Sequence, residues 1–115
     1  MSDLLLGGGR VIDPAQGLDA TRDILIRDGR ITALEPSLSG HPEAASAHWV
    51  NATGLVVVPG LVDVHVHFRE PGQTAKETIA TGARCAARGG FTAVVCMPNT
   101  KPAIDDTAVV GLVRE

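Results

Sequence analysis

The hydrophobic positions of this 115-residue chain follow two different patterns. Up to about residue 58, short apolar runs alternate with polar or glycine-rich turns, which is typical of short β-strands. Asp28-Gly29 separates the runs 23–27 and 30–34 and predicts a two-residue hairpin turn. Further strands are predicted at 4–6, 11–12, 48–50 and 55–58, and a loop at 37–47. This part is expected to form part of a small β-sandwich.

Longer apolar segments begin after Pro59-Gly60. Residues 61–67 predict a strand buried on both faces, as in a parallel sheet covered by helices. A helix is predicted from about residue 75 to residue 88, then a strand at 91–97 and a second helix. The order strand, helix, strand, helix predicts an α/β fold with a parallel sheet and right-handed crossovers.

The ends of the two helices carry recognisable signals. Thr74 and Glu77 have the spacing of a capping box, which would begin the first helix near residue 75. The apolar face of that helix is expected to contain Ile79, Ala83 and Ala86. Asp105 or Asp106 is expected to cap the second helix.

Composition narrows the classes of function. The formal net charge is −3 and aromatic residues make up 3% of the chain, so no nucleic-acid footprint is indicated. No apolar run reaches the length of a membrane span, and the first six residues do not resemble a secretion signal, so a cytoplasmic location is expected. Cys85 and Cys96 are too few for a disulfide framework and are expected to pack in the core.

The candidate chemistry lies at the end of the strand at 61–67. Alternate residues of a strand share a face, so His65, His67 and Arg69 are expected to project together. Two histidine Cβ atoms at this spacing lie about 6.6 Å apart, close enough for both imidazoles to bind one zinc-like cation. Arg69 offers a planar fork for a carboxylate. A His-x-His pair alone is common, but histidines ending an apolar strand are costly to bury without a partner.

For the charged residues near this motif, the sequence predicts less specific roles. Asp63 shares the odd-numbered positions, and is expected either to accept a hydrogen bond from an imidazole or to pair with a group further back in the sheet. Glu70 is expected to be a solvated loop charge. Lys76 and Lys101 are expected at the surface.

Three segments resemble a known family. Residues 59–72, Pro-Gly-Leu-Val-Asp-Val-His-Val-His-Phe-Arg-Glu-Pro-Gly, closely resemble a signature of the dihydroorotases of the amidohydrolase superfamily. Residues 86–102, which contain Cys-Met-Pro-Asn-Thr-Lys-Pro, resemble a second signature, and residues 8–14 resemble the amino terminus. The resemblance implies a β-sandwich portion over residues 1–58. It implies the first two units of a (β/α)₈ TIM-type barrel over 59–115.

The resemblance also implies a reaction and roles. The reaction is reversible hydrolysis of dihydroorotate to N-carbamoyl-aspartate in pyrimidine biosynthesis, with one or two zinc ions. His65 and His67 match the first metal ligands, and Arg69 and Asn99 match substrate-binding residues. A general acid/base aspartate and the further ligands are expected beyond Glu115, so the 115 residues alone are expected to be inactive, with at best weak metal affinity.

Several alternatives stay open. Allantoinases, hydantoinases and dihydropyrimidinases share the His-x-His strand, but Arg69 favours a substrate that has a carboxylate. A non-catalytic scaffold for aspartate transcarbamoylase is a second class, against which the retention of His65, His67, Arg69 and Asn99 argues. A free-standing module that associates through open sheet edges is a third. The resemblance implies a homo-oligomer, with aspartate transcarbamoylase as a candidate partner.

Overall fold

The computed structural model describes residues 3–114. Its elements in chain order are β1 (Leu4–Asp13), β2 (Leu18–Arg27), β3 (Arg30–Glu35), β4 (His48–Asn51), β5 (Val56–Val57), β6 (Leu61–Val66), α1 (Ile79–Arg88), β7 (Phe91–Cys96) and α2 (Thr107–Arg114). The chain divides between Pro59 and Gly60 into two compact units. Neither α1 nor α2 is long and apolar enough to cross a bilayer.

The first unit is a mixed sheet in the order β3-β2-β1-β4, with β5 also paired to β1. β1 and β2 are antiparallel, as are β2 and β3, whereas β4 and β5 run parallel to β1. The predicted hairpin turn is confirmed: Asp28 and Gly29 join β2 to β3 with φ angles of 49° and 73°. Both angles are positive, as a type I′ turn requires, and this twist matches that of the flanking strands.

The glycines at 7–9 lie inside one strand, so the prediction of two short strands on either side of them was wrong. β1 is continuous, and its pairing with β2 shifts register between Leu6 and Gly9. Gly8 has a φ of 75°, which an L-residue rarely adopts, and its amide donates to Asp23 Oδ1 at 2.8 Å. A bulge of this kind leaves one amide outside the strand ladder, and the Asp23 carboxylate satisfies it.

The core of the first unit depends partly on the predicted loop at 37–47. Leu25 of β2 is fully buried and packs with Leu38 and Ala44 of that loop. Asp23 Oδ2 accepts from the Leu38 amide at 2.8 Å and fixes the start of the loop. The segment is therefore irregular, as predicted, but it covers one face of the sheet.

In the second unit, β6 and β7 form a parallel pair, as predicted. The expectation that the β6 strand is buried on both faces was wrong for the part of the chain described. Val62 is 61% exposed and Val64 is 68% exposed. The reason is that α1 covers only one face of this two-stranded sheet, where Phe68 packs against Gly82.

Helix α1 begins four residues later than predicted. Its N-cap is Thr78, not Thr74: Thr78 Oγ1 accepts from the Thr81 amide at 3.0 Å, and Thr81 Oγ1 accepts from the Thr78 amide at 2.9 Å. Gly82 is the buried residue of α1, whereas Ala83 is exposed. Since a Cβ at Gly82 would run into the Phe68 ring, only glycine allows this packing.

Two further expectations about this unit have definite outcomes. Asp105 or Asp106 was predicted to cap α2, and Asp106 does so. Its Oδ1 accepts from the amides of Ala108 and Val109 at 2.8 and 2.9 Å. The prediction that both cysteines pack in the core was wrong, because Cys85 is exposed on α1. Cys96, at the end of β7, is half-buried.

Candidate metal centre

The candidate residues gather where the two parallel strands end. His65 is the second-last residue of β6, His67 follows the strand directly, and Asn99 lies three residues after β7. The amide of Met97 donates to the carbonyl of Val66, the last residue of β6, at 2.9 Å, which extends the strand pairing past the end of β7. Parallel strands end at the same edge of a sheet, so these polar groups share one edge.

The two imidazoles converge through their Nε2 atoms, which lie 3.2 Å apart. The ring centroids are 5.1 Å apart and the ring planes are tilted by 60°. Two nitrogens bound to one zinc at 2.0–2.1 Å, at a tetrahedral angle, would be separated by about 3.3 Å. The spacing therefore fits two ligands of a single cation. Within residues 3–114, no third His, Cys, Asp or Glu completes such a group.

Asn99 orients the ring of His67. Its Oδ1 lies 3.1 Å from Nδ1 of His67. An amide oxygen only accepts, so Nδ1 carries the hydrogen and Nε2 keeps its free lone pair in the neutral ring. This is the tautomer that a metal bound through Nε2 requires. The family resemblance implied only a substrate-binding role for Asn99, and nothing in the local sequence links residues 67 and 99.

Asp63 holds the backbone of His65 and, within the described residues, forms no hydrogen bond with either imidazole. Its Oδ1 accepts from the His65 amide at 3.0 Å. The pairing of β6 with β7 is irregular between Asp63 and Val66, and both of these side chains line a cavity beside Cys85 of α1. Strict strand alternation would have placed Asp63 beside the imidazoles. The irregularity turns it toward the helix instead, so neither role expected for Asp63 is observed.

Arg69 lies in the loop after β6, three residues beyond the end of the strand. Its carbonyl accepts from the Gln73 amide at 2.8 Å, which closes a turn over residues 69–73. The side chain is half-buried, and its guanidinium forms no hydrogen bond or ion pair with any other group in residues 3–114. Within the described residues Arg69 is thus not hydrogen-bonded to His65, His67 or Asn99, and its planar fork is available to an anion.

Glu70 is not the solvated loop charge that was expected. Its Oε2 accepts from the amide of Ile79, the first residue of α1, at 2.8 Å. A carboxylate is stabilised at a helix N-terminus, where the free amides concentrate partial positive charge. The donor and the acceptor are nine positions apart in the chain, which is too far for any capping pattern to predict this contact. Lys76 and Lys101 are exposed, as expected.

Comparison with known proteins identifies relatives along the whole chain. A family model described as dihydro-orotase-like matches residues 54–113. A dihydroorotase of Citrifermentans bemidjiense is 54% identical over 111 residues, which are 96% of this chain and 26% of that protein. A dihydroorotase of Aquifex aeolicus is 47% identical over 115 residues, and again 26% of it is covered. The chain thus spans about a quarter of the length of these relatives.

Solved structures show a related fold. An L-hydantoinase (dihydropyrimidinase) from Arthrobacter aurescens superposes with a TM-score of 0.73 at 29% identity, over 90% of this chain and 22% of that one. A D-hydantoinase (dihydropyrimidinase) from Thermus gives 0.68 at 32% identity, over 95% of this chain and 23% of that one. Since the family model also matches more than half of its residues, the chain belongs to the dihydro-orotase-like family.

Proposed function

We propose that the protein carrying this chain is a zinc-dependent dihydroorotase, which reversibly hydrolyses the cyclic amide of dihydroorotate to N-carbamoyl-aspartate. The observation that carries the proposal is the convergence of His65 and His67, with Nε2 atoms 3.2 Å apart, in a chain about half identical to proteins named dihydroorotase. These two residues would hold one of the one or two zinc ions.

The side chains of the site have separate roles in this proposal. When bound, zinc polarises the scissile carbonyl and lowers the pKa of a water molecule toward neutral pH. His67 is kept in its metal-binding tautomer by Asn99. Arg69 binds the substrate carboxylate through its fork, and Asn99 is the second substrate-binding residue. Together they orient the ring so that its amide carbon faces the metal.

The remaining groups would come from other parts of the protein. A catalytic zinc usually has three protein ligands and one open position, and residues 3–114 offer two. We expect the further ligands, and an aspartate that moves the proton to the leaving nitrogen, in the part of the relatives that this chain does not span. On this proposal, residues 59–115 are the first two units of a (β/α)₈ barrel and residues 1–58 belong to a β-sandwich.

Assembly and location are part of the same proposal. A barrel would cover the exposed apolar side chains of β6, Val62 and Val64. We also propose a homo-oligomer in the cytoplasm that acts in pyrimidine biosynthesis, with aspartate transcarbamoylase as a candidate partner. The second candidate function is hydrolysis of an uncharged cyclic amide, and the hydantoinase folds favour it. Arg69 argues for the first, because a hydantoin ring has no carboxylate to bind.

Relative rates test the choice between the two reactions. The zinc-loaded, full-length protein is assayed with dihydroorotate, allantoin and hydantoin, and dihydroorotate is expected to be hydrolysed fastest. Arg69→Ala is expected to raise the KM for dihydroorotate about 10- to 100-fold, because it removes a hydrogen-bonded pair between two charged groups. Arg84→Ala, an exposed arginine of α1, is the matched control. Faster turnover of allantoin or hydantoin would overturn the proposal.

Metal content tests the histidines directly. His65→Ala and His67→Ala are each expected to lower the zinc bound per protein and to abolish turnover. His48→Ala removes an exposed histidine of β4 in the other unit and should change neither quantity. Full zinc occupancy in both of the first two variants would contradict the assignment.

A further inference from the structure

The loops that follow β6 and β7 are joined through their backbones. The first loop, residues 67–78, carries Arg69, and the second loop, residues 97–106, carries Asn99. The amide of Lys101 in the second loop donates to the carbonyl of Pro71 in the first at 3.2 Å. The amide of Met97 also donates to the carbonyl of Val66, so two backbone hydrogen bonds join these two segments of the chain.

Gly72 makes this close approach possible. A Cβ at this position would collide with the carbonyl oxygen of Lys101 and would come within 2.8 Å of its Cβ and 3.0 Å of its carbonyl carbon. The obstacle is mostly backbone, which cannot rotate away as a long side chain can. Gly72 also has a φ of 95°, so any other residue there would be strained as well.

Glu70 ties the same loop to a helix. Its carboxylate accepts from the Ile79 amide at 2.8 Å and is partly buried. The adjacent residue, Arg69, has its carbonyl bonded to the Gln73 amide. The backbone of Arg69 is thus held between a helix N-terminus on one side and the second loop on the other. In the part of the chain described, neither Glu70 nor Gly72 is hydrogen-bonded to either imidazole.

We propose that Glu70 and Gly72 are positioning residues that hold the first loop against the second and thereby set the separation of Arg69 from Asn99. The inference rests on the proposed function, in which these two side chains bind the substrate carboxylate. Two groups that grip one small ligand must keep their spacing, because a displacement of about 1 Å costs on the order of 100-fold in rate. Loosening residues 69–72 is expected to weaken substrate binding, while His65 in β6 and His67 directly after it stay in place.

Kinetics of variants in the zinc-loaded, full-length protein test the inference. Gly72→Ala and Glu70→Ala are each expected to raise the KM for dihydroorotate about tenfold, with smaller changes in kcat and in bound zinc. Glu70→Gln keeps an acceptor oxygen and is expected to restore most of the loss. Gly90→Ala is the matched control, because Gly90 has a similar φ of 85° but open space where a Cβ would lie. Its KM is expected to stay near that of the unmodified protein.

Amide hydrogen exchange supplies a readout that does not depend on turnover. Exchange of the Lys101 amide is expected to accelerate in Gly72→Ala, and exchange of the Ile79 amide in Glu70→Ala. Unchanged exchange, an unchanged KM, or a loss of zinc in place of a rise in KM would each overturn the positioning role. If the unmodified, zinc-loaded protein failed to hydrolyse dihydroorotate, the proposed function would fail and the substrate part of this inference with it. If the unmodified protein hydrolysed dihydroorotate normally and the KM values of the Glu70 and Gly72 variants were unchanged, only the positioning inference would be overturned.

Discussion

Nδ1 of His67 lies 3.1 Å from Oδ1 of Asn99, although the two residues are 32 positions apart in the chain. Because the amide oxygen accepts, it sets the tautomer of His67 and leaves Nε2 free to bind a cation. The same Nε2 lies 3.2 Å from that of His65. Asn99 therefore supports the candidate metal site in addition to any contact with substrate.

Replacing Asn99 is expected to weaken metal binding. Asn99→Ala should lower the zinc affinity of the full-length protein about tenfold, because removal of the partner of a metal-binding histidine typically costs 10- to 100-fold. Asn99→Asp, which keeps an acceptor oxygen, should lose much less. Competition with a chelator measures the affinity, and Asn51→Ala, in the other unit, is the control. An unchanged zinc affinity with a raised KM would mean that Asn99 acts on substrate alone.

The start of helix α1 can be tested by two threonine substitutions. Thr78→Ala is expected to lower the free energy of unfolding by about 1 kcal/mol, because Thr78 caps the helix in a reciprocal pair with Thr81. Thr74→Ala should change it by less than about 0.5 kcal/mol, as for an ordinary surface residue. Urea denaturation measures both. A larger loss for Thr74→Ala would support the capping box predicted from sequence.

Asp23 is expected to be important for the stability of the first unit. Its two carboxylate oxygens each accept from a backbone amide at 2.8 Å, one from Gly8 and one from Leu38. Asp23→Ala leaves both amides without this partner and should lower the free energy of unfolding by about 2 kcal/mol. Asp19→Ala, which removes an exposed carboxylate from β2, should cost less in the same denaturation experiment. Equal losses would argue against the role of the bulge contact.

The pair of Arg10 and Asp19 predicts a dependence of stability on pH. The hydrogen bond from Arg10, at 2.7 Å, lowers the pKa of Asp19 below its ordinary value of 3.8. The contribution of the pair is therefore complete above pH 3.8 and is lost as the pH falls through the lowered pKa. The stability difference between the unmodified protein and Asp19→Asn should shrink on acidification. A difference that does not vary with pH would contradict this.

The two cysteines should differ in reactivity. Burial raises the pKa of the Cys96 thiol, because it disfavours the thiolate. Cys85 is exposed on α1. Since the thiolate is the reactive form, iodoacetamide at mildly alkaline pH should modify Cys85 first. Mass spectrometry of digested samples over time measures the order, and Cys85→Ser should leave only the slow reaction. Faster modification of Cys96 would show that its surroundings differ from those described.

Interactions between residues close in sequence were predictable. The Asp28-Gly29 turn and the Asp106 cap follow from local patterns, and both are confirmed. The parallel pair of β6 and β7 was predicted from the order of strands and helices, and it is confirmed as well. The cap of α1 is an instructive failure. Thr74 and Glu77 have suitable spacing, but Thr78 and Thr81 form the actual pair. Several overlapping capping patterns occur here, and the local spacing of residues does not choose among them.

By itself, the sequence determined the family, the alternation of strands and helices in the second unit, and the motif that contains His65, His67 and Arg69. These depend on residue type and on short spacings, which the backbone geometry of a strand or turn translates directly into position. Only the tertiary structure decided that Asn99 orients His67, that Glu70 accepts from the first amide of α1 and that Gly72 allows the backbone of Lys101 to come close. Those contacts join residues 9 to 32 positions apart, so they depend on strand register and on the paths of two loops, which no local pattern encodes.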